Sequence, residues 1–306
     1  MNIYEETKFL MKKYNISANK DLGQNFLIDD NVINSIVESA KINKKDFVIE
    51  IGPGLGTLTS RLVEKAAKVI AIELDKKMLQ ILNDRFTLYN NFLLINQDVL
   101  KVDLNNLIQK ENTKNYTVKI VANLPYYITT PIIMKLLEEK LNINSITVMV
   151  QKEVADRLTE IPGGKNTGAI TYCIYYYAEP QEVLTVPKTS FIPEPKVNSE
   201  VIKLNIRKEP PVVLKDEKIF FKVVKASFMQ RRKTLLNGLT NSGIASKEIL
   251  KEILKELNLS EDIRGESLTI KQFAEISNKL CWNMLTNYWQ SRLIRRIIVK
   301  VSYMRH

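Results

Sequence analysis

Residues 48–59 read Val48-Ile49-Glu50-Ile51-Gly52-Pro53-Gly54-Leu55-Gly56-Thr57-Leu58-Thr59. An apolar run rich in β-branched residues comes first, then three glycines at alternate positions, then a segment that can be helical. This order predicts a buried strand that turns sharply into a helix. A Cβ atom would hinder both a positive φ and the close approach of a ligand to the backbone, so glycine suits such a turn. Gly52 and Gly54 are therefore candidate ligand-binding positions, although an ordinary strand-to-helix turn can carry the same glycines.

The spacing of the glycines argues against a dinucleotide cofactor. The motif of NAD- and FAD-binding proteins is G-x-G-x-x-G, and Thr57 stands where its third glycine would be. The next predicted strand ends at Glu73, and a carboxylate there can accept hydrogen bonds from both hydroxyls of a ribose. The chain has no G-x-x-x-x-G-K-[ST] motif, so a polyphosphate is not expected. S-adenosylmethionine fits these features.

Composition indicates a globular protein with an anionic partner. At 306 residues the chain is long enough for two domains, and it is 45% hydrophobic and 26% charged. Its formal charge of +11 points to nucleic acid or an anionic membrane surface. We expect nucleic acid, and no membrane, because no isolated basic amphipathic helix and no apolar run of membrane-spanning length is present. The N-terminus is acidic where a signal peptide would be basic, so a cytoplasmic location is expected.

The chemistry must proceed without imidazole. The only histidine is the last residue, His306, so neither a histidine general base nor a histidine metal site can be built in the body of the chain. The two cysteines, Cys173 and Cys281, are far apart and have no metal-ligand neighbours in the sequence. No metal site is predicted.

Apolar runs alternate with helical periodicity over the first two thirds of the chain. We predict helices at Leu58–Ala66, Lys76–Arg85, Thr130–Leu141 and Lys152–Thr159. The predicted strands are Phe47–Ile51, Lys68–Glu73, Phe92–Asn96, Lys119–Ala122, Ile146–Gln151, Ala169–Tyr177 and Val197–Leu204. Such alternation predicts an α/β fold in which a mostly parallel, Rossmann-like, seven-stranded sheet is covered on both faces. Ligands bind at the carboxyl ends of the strands in sheets of this kind.

The last third of the chain has helical periodicity only. We predict helices at Glu217–Phe228, Arg231–Leu239, Lys247–Leu257 and Thr269–Leu280. The predicted organisation is a Rossmann-like domain with an N-terminal arm (1–208), a small all-helical domain (209–280) and an atypical basic tail (281–306). The tail has five bases and no acids, so its removal would lower the formal charge from +11 to +6.

Polar residues follow the predicted third and fourth strands. Asp98 could accept a hydrogen bond from the amine of a cofactor adenine, or it could cap a helix. The fourth strand leads into Asn123-Leu124-Pro125-Tyr126-Tyr127. An adenine amine is a poor nucleophile until its nitrogen becomes tetrahedral, and the Asn123 side-chain oxygen and the Leu124 carbonyl could favour that geometry. Tyr126 offers a face on which the base can stack.

Two further segments are candidates for substrate contact. A proline-rich loop, Pro187–Lys196, places Phe191 in a rigid setting, although it could also be only a hairpin connection. Near the start of a predicted helix, Arg231, Arg232 and Lys233 could contact phosphates, although such a run is often only a solvated helix face.

Taken together, these motifs resemble those of the bacterial small-subunit ribosomal RNA adenine dimethyltransferases, the kasugamycin-sensitivity enzymes. The resemblance extends from about Leu22 to Leu280. It rests on Leu22-Gly23-Gln24-Asn25-Phe26-Leu27, Glu50–Thr59, Glu73-Leu74-Asp75, Gln97-Asp98, Asn123–Tyr127, Gln151-Lys152-Glu153-Val154-Ala155, Phe191–Val197 and Arg231-Arg232-Lys233-Thr234-Leu235.

The resemblance implies a class I S-adenosylmethionine-dependent methyltransferase. The implied activity is dimethylation of N6 on each of two adjacent adenosines in the 3′-terminal hairpin of 16S rRNA, within a 30S assembly intermediate and by a monomer. Cofactor contacts are implied at Asn25, Leu27, Gly52, Glu73, Asp98 and Asn123. It further implies that the Asn123-Leu124-Pro125-Tyr126 turn is catalytic and that Phe191 helps to hold a flipped adenine.

Two other functions stay open at this stage. The 23S rRNA dimethylases of macrolide resistance share the glycine loop and the Asn-Leu-Pro-Tyr turn, but the long Pro187–Lys196 loop and the full helical domain favour the 16S enzymes. A non-catalytic nucleic-acid-binding relative would be expected to have a degraded cofactor site, and here the motif residues are intact.

Overall fold

The computed structural model describes residues 2–19, 22–164, 166–230 and 232–282. The chain divides into two compact units, one formed by 1–159 and 177–208 and the other by 160–176 and 209–306. The domain limits drawn from the sequence stay a prediction, and the units differ from them because residues 160–176 group with the C-terminal part of the chain.

The first unit is built on a seven-stranded sheet with strand order β4-β3-β2-β5-β6-β9-β7, and a two-stranded sheet pairs β1 with β8. The strands are β1 Phe26–Leu27, β2 Asp46–Ile51, β3 Lys68–Glu73, β4 Phe92–Asn96, β5 Thr117–Asn123, β6 Ser145–Gln151, β7 Ala178–Val186, β8 Phe191–Ile192 and β9 Ser199–Ile206. Strands β2 to β6 are parallel, and β9 runs antiparallel to both β6 and β7. The predicted Rossmann-like, mostly parallel sheet is confirmed.

Helices cover the sheet of the first unit and make up most of the second. Their bounds are α1 Ile3–Lys13, α2 Asp30–Ser39, α3 Thr57–Lys65, α4 Lys76–Phe86, α5 Leu104–Glu111, α6 Thr129–Glu138, α7 Lys152–Thr159, α8 Ala169–Tyr177, α9 Glu217–Met229, α10 Leu235–Asn241 and α11 Lys247–Glu256, and residues 270–282 are helical as well. Side-chain oxygens of Asp29, Asp75, Asp103 and Asp216 cap four of them by accepting backbone N–H groups.

The central strands are buried on both faces. Every residue of β2 is buried, and β5 and β6 are buried along most of their length. Their β-branched and aliphatic sequences suit a parallel sheet between two helical layers. One buried ion pair lies among them, because Lys119 Nζ is 2.9 Å from Asp46 Oδ2 and also donates to the Lys41 carbonyl. The extra hydrogen bond helps to compensate for the burial of these charges.

The strand order places a crevice beside β2. After β2 the chain moves outward through β3 and β4 and then returns across the sheet to β5, which pairs with the other side of β2. Connections diverge at such a switch point and leave a space above the carboxyl ends of the strands. The glycine turn, Glu73 and Asn123 all lie at those ends.

The second unit corrects two predictions. The predicted strand Ala169–Tyr177 is wrong, since this segment forms α8. Its aromatic and β-branched residues favour a strand, but Tyr172 is fully buried within the unit and its ring contacts Phe228 and Phe273 at centroid distances of 5.6 and 4.7 Å. Tertiary packing therefore overrides local propensity. The true seventh strand is β7, an edge strand that contains Pro180, which a central strand would not tolerate.

The predicted helix Arg231–Leu239 begins later than expected. Thr234 caps α10, which starts at Leu235, so Arg232 and Lys233 lie in the preceding turn, where both are exposed. Arg231 lies outside the described residues, as do residues 283–306 of the predicted tail. No helix of the described residues is long and apolar enough to cross a bilayer.

The glycine turn gives the first prediction. Gly56 has a φ of +80°, and a Cβ atom there would lie 2.6 Å from Phe86 Cε2. Gly54 has a similar φ of +56°, but its Cβ would make an ordinary contact of 3.6 Å with Phe26. We expect both alanine variants to lose about 1–2 kcal/mol of stability from the left-handed backbone. Gly56→Ala should lose about 1–3 kcal/mol more because of the clash.

Urea denaturation of the two variants without ligand measures this difference. Equal losses of stability in the two variants would contradict the predicted clash at Gly56, because Gly54→Ala carries the same backbone cost in the same turn.

Candidate active site

A single cleft in the first unit contains the residues predicted to bind the cofactor and the target base. Its volume of about 1130 Å³ includes the open solvent at its mouth. The predicted residues that line it are Asn25, Leu27, Gly52, Gly54, Glu73, Asp98, Asn123, Leu124, Pro125, Tyr126 and Phe191. The fold therefore brings together segments that are up to 166 positions apart in the sequence, from Asn25 to Phe191.

Glu73 joins the glycine turn to the end of β3. Its Oε2 accepts the Gly54 N–H at 3.1 Å, and its Oε1 accepts the Asp75 N–H at 2.8 Å. Burial raises the pKa of Glu73, while these two backbone hydrogen bonds oppose the rise. Each carboxylate oxygen can accept more than one hydrogen bond, so the group that holds the turn can also accept from a ligand.

Glu50 is a second buried carboxyl on the cleft lining, and it was not among the site residues predicted from the sequence. Burial raises its pKa to about 8, and the nearby Glu73 adds to the rise, whereas a hydrogen bond from Thr59 and the charge of Arg85 oppose it. Thr59 Oγ1 donates to Glu50 Oε2 at 2.6 Å. The available signal was a charged residue in the middle of an otherwise apolar buried strand.

The Asn123–Tyr127 turn follows β5 as predicted. Asn123 Nδ2 lies 3.5 Å from the Asn25 carbonyl, a long contact, and no hydrogen bond to Asn123 Oδ1 forms within the described residues. The Leu124 N–H donates to the Met149 carbonyl at 3.2 Å, which attaches the turn to β6. The Tyr126 hydroxyl is 2.7 Å from Ser199 Oγ, and burial raises the pKa of Tyr126.

Asp98 fills one of its two predicted roles, because it caps a helix, and its role toward a cofactor stays a prediction. Its Oδ1 accepts the Leu100 N–H at 3.0 Å and caps a short 3₁₀ helix, Val99–Lys101. Its Oδ2 has no hydrogen-bond partner among the residues that the structure describes. One oxygen therefore caps the helix, and the other is available to an amine in the cleft.

Asn25, Leu27 and Phe191 are positioned by the small β1–β8 sheet. Leu27 pairs with Phe191, and Phe26 pairs with Ile192. Phe191 lines the cleft, but it is only 3% exposed because it also belongs to the apolar core. The Leu22–Leu27 segment is also attached to the end of β3, since Gln24 Nε2 donates to Asp75 Oδ2 at 2.8 Å.

Comparison with known proteins identifies the family of this chain. The family model described as ribosomal RNA adenine dimethylase matches residues 15–280. The chain belongs to this family.

Similar proteins match most of the chain. Ribosomal RNA small subunit methyltransferase A of Geobacillus sp. (strain WCH70) is 50% identical over 277 residues, 90% of this chain and 95% of that protein. The protein of the same name from Clostridioides difficile (strain 630) is 49% identical over 278 residues, 91% of this chain and 96% of that protein. A dimethyladenosine transferase from Plasmodium falciparum superposes with a TM-score of 0.70 at 25% identity, over 82% of this chain and 95% of that one. The 23S rRNA methyltransferase ErmE, at 23% identity, has a TM-score of 0.63 over 84% of this chain and 99% of that one, and supports the fold alone.

This dimethylase is an S-adenosylmethionine-dependent enzyme with the class I methyltransferase fold. The cleft residues fit that cofactor, because Glu73 and Asp98 can both accept hydrogen bonds and the turn at Gly52 and Gly54 has no side chain in the way. Among the described residues, no group of three or more His, Cys, Asp or Glu side chains is placed to hold a metal ion.

Glu50 gives the second prediction. The ordinary pKa of this carboxyl is 4.5, and its folded value is about 8. As the pH rises through this window, the unfolded chain releases the proton and the folded chain keeps it, so the free energy of unfolding falls. Glu50→Gln removes the titration. We therefore expect the difference in melting temperature, variant minus unsubstituted protein, to increase with pH up to about 8 and to stay constant above it.

Thermal melts of the ligand-free proteins between pH 5 and pH 9 test this. Thr59→Val is the matched control, because it keeps the carboxyl and removes the hydrogen bond that lowers its pKa, so its pH dependence should persist to higher pH. A difference between Glu50→Gln and the parent that does not vary with pH would contradict the assignment.

Proposed function

We propose that this protein transfers methyl groups from S-adenosylmethionine to N6 of two adjacent adenosines in the 3′-terminal hairpin of 16S rRNA, dimethylating each one. The observation that carries the proposal is the Asn123–Tyr126 turn, whose unpaired side-chain oxygen lines the same cleft as Glu73 and Asp98. Identity of about half to proteins named small subunit methyltransferase A supports the choice of substrate.

Cofactor binding is assigned to the carboxyl ends of β2, β3 and β4 and to the Leu22–Leu27 segment. Glu73 accepts hydrogen bonds from the ribose hydroxyls, and Asp98 Oδ2 accepts one from the adenine amine. Gly52 and Gly54 let the cofactor approach the backbone, while Asn25 and Leu27 cover it from the β1–β8 side. When bound, S-adenosylmethionine supplies a methyl group on a positively charged sulfur.

The turn after β5 holds the target amine during transfer. Asn123 Oδ1 and the Leu124 carbonyl accept the N–H groups that the amine carries, two before the first transfer and one before the second, and so favour a tetrahedral nitrogen whose lone pair is free to attack. S-adenosylmethionine held by Glu73, Asp98 and the glycine turn would supply the methyl group, and the electrons of the broken C–S bond would stay on its sulfur. The proton on the alkylated nitrogen then leaves to water, so no histidine is needed. Pro125 stiffens this turn, and its carbonyl accepts hydrogen bonds from Thr129 Oγ1 at 3.1 Å and the Ile128 N–H at 3.2 Å.

The target base is held by aromatic side chains. Tyr126 provides a stacking face, and its hydrogen bond to Ser199 fixes the ring. Phe191 contributes a smaller surface than expected from the sequence, since it is only 3% exposed. A base in structured RNA must leave its stack to reach such a site.

Affinity for the ribosomal subunit comes from phosphate contacts. The formal charge is +11, and exposed Arg232 and Lys233 in the turn before α10 are candidates together with Arg231. We propose that the protein acts as a monomer on a 30S assembly intermediate in the cytoplasm.

Methyl transfer to isolated subunits tests the function. With labelled S-adenosylmethionine we expect incorporation into small subunits that lack the modification, up to four methyl groups per subunit because two adenosines each accept two. Large subunits and previously modified small subunits should accept none and serve as controls. Incorporation into large subunits only would replace this proposal with a 23S rRNA dimethylase.

The role of Asn123 gives a further prediction. Asn123→Ala removes one preorganised acceptor, which should slow single-turnover methyl transfer by about 2.7–4 kcal/mol, or roughly two to three orders of magnitude. Binding to the subunit should change little, because it depends on phosphate contacts elsewhere. Asn105→Ala is the control, since Asn105 is an exposed residue of α5 that donates one hydrogen bond to the Glu139 carbonyl. Full single-turnover activity in Asn123→Ala would refute the mechanism.

A further inference from the structure

The glycine turn is supported from two sides. On the cleft side, Glu73 accepts the Gly54 N–H at 3.1 Å. On the opposite side, the Arg85 guanidinium of α4 donates to the Leu55 carbonyl. Two consecutive residues of the turn are therefore held: Gly54 by the Glu73 carboxylate, and Leu55 by the Arg85 guanidinium.

Arg85 connects this turn to the N-terminal helix. Its second guanidinium nitrogen donates to Glu6 Oε1 of α1, and the two side chains are only 12% and 28% exposed. Arginine can bridge two acceptors in this way because its donors form a rigid planar fork. Hydrogen bonds thus run without a break from Glu6 through Arg85 to the Leu55 carbonyl of the cofactor turn.

Apolar packing brings α1 to the same place. Ile3 and Leu10 on its inner face belong to one buried cluster with Leu55 of the turn and with Leu82 and Phe86 of α4. Gly56, the last glycine of the turn, is also in contact range of Leu82 and Phe86. Helix α1 therefore packs into the core that supports the turn, although it precedes residues 15–280 matched by the family model.

The contact with Glu6 matters because it places a negative charge beside the largely buried Arg85 guanidinium. Burial lowers the pKa of Arg85, and Glu6 is the main group that opposes this effect, followed by Tyr14 and Glu50. Without Glu6, the guanidinium would remain largely buried and would have to find a partner among the groups that remain. A buried charge that loses its partner is strongly unfavourable, so the side chain would be expected to move and release the Leu55 carbonyl.

We propose that Glu6 and Arg85 are positioning residues for cofactor binding, through which helix α1 fixes the conformation of the glycine turn. Neither side chain lines the cleft, so their effect on the cofactor passes through the backbone at Leu55. The proposal rests on the assignment of the cofactor to this cleft.

Calorimetric binding of S-adenosylhomocysteine to the full chain tests it. Glu6→Gln keeps the size of the side chain and removes its charge. Arg85→Lys keeps the positive charge and removes the planar set of N–H donors that bridges Glu6 and the Leu55 carbonyl. We expect each to weaken binding by about two- to thirtyfold, the range for substitutions that act on a ligand from outside its site. The double variant should bind no more weakly than the poorer single variant, because both substitutions weaken the same connection.

Asp84→Ala is the matched control. It removes the hydrogen bond from the Tyr14 hydroxyl to Asp84 Oδ2 at 2.8 Å, which also joins the α1 region to α4 but does not contact the turn. Its melting temperature should fall as in Glu6→Gln, while its affinity for S-adenosylhomocysteine should be unchanged.

The outcomes separate this inference from the proposed function. If the unsubstituted protein does not bind S-adenosylhomocysteine, the cofactor assignment itself fails. If it binds and Glu6→Gln binds equally well, α1 stabilises the fold only and the inference is overturned. Additive losses in the double variant would also overturn it, since they would mean that the two residues act separately.

Discussion

The structure of the site depends on one buried carboxylate. Glu73 accepts backbone N–H groups from Gly54 on one strand connection and from Asp75 on the next, so it joins the ends of β2 and β3. These hydrogen bonds compensate for part of the cost of burial, which still raises its pKa. Because Asp75 in turn accepts from Gln24, the same connection extends to the segment that covers the cleft.

This arrangement places two acidic side chains at the floor of the cleft. Glu50 and Glu73 are both buried there, and burial, with a smaller contribution from the nearby Glu73, raises the pKa of Glu50 to about 8. The Arg85 guanidinium lies outside the lining of the cleft, and the described lining contains no Lys or Arg side chain. The floor thus offers acceptors for hydroxyl donors and no cation for a polyphosphate.

The sequence predicted the parts of the fold that depend on local pattern. The glycine turn and the polar strand ends lie within short stretches, so Glu73, Asp98 and Asn123 could be placed at one sheet edge from topology alone. Ala169–Tyr177 was wrongly assigned to a strand, because its strand-like composition serves helix packing around Tyr172. Arg85 and Glu6 were missed for a related reason: their roles depend on contacts between residues 79 positions apart, which no local pattern reveals.

Chemistry without imidazole is consistent with how the site distributes its hydrogen-bonding groups. The amine must stay uncharged until it attacks, so the residues around it need to accept protons in hydrogen bonds rather than remove them. Asn123 Oδ1 and a backbone carbonyl meet that need at any physiological pH, whereas a carboxylate in the same place would change its charge with its surroundings. The titratable carboxyls Glu50 and Glu73 are held instead near the ends of β2 and β3. In the proposed mechanism, neutral acceptors therefore face the nucleophile, and the carboxyls lie on the side assigned to the cofactor.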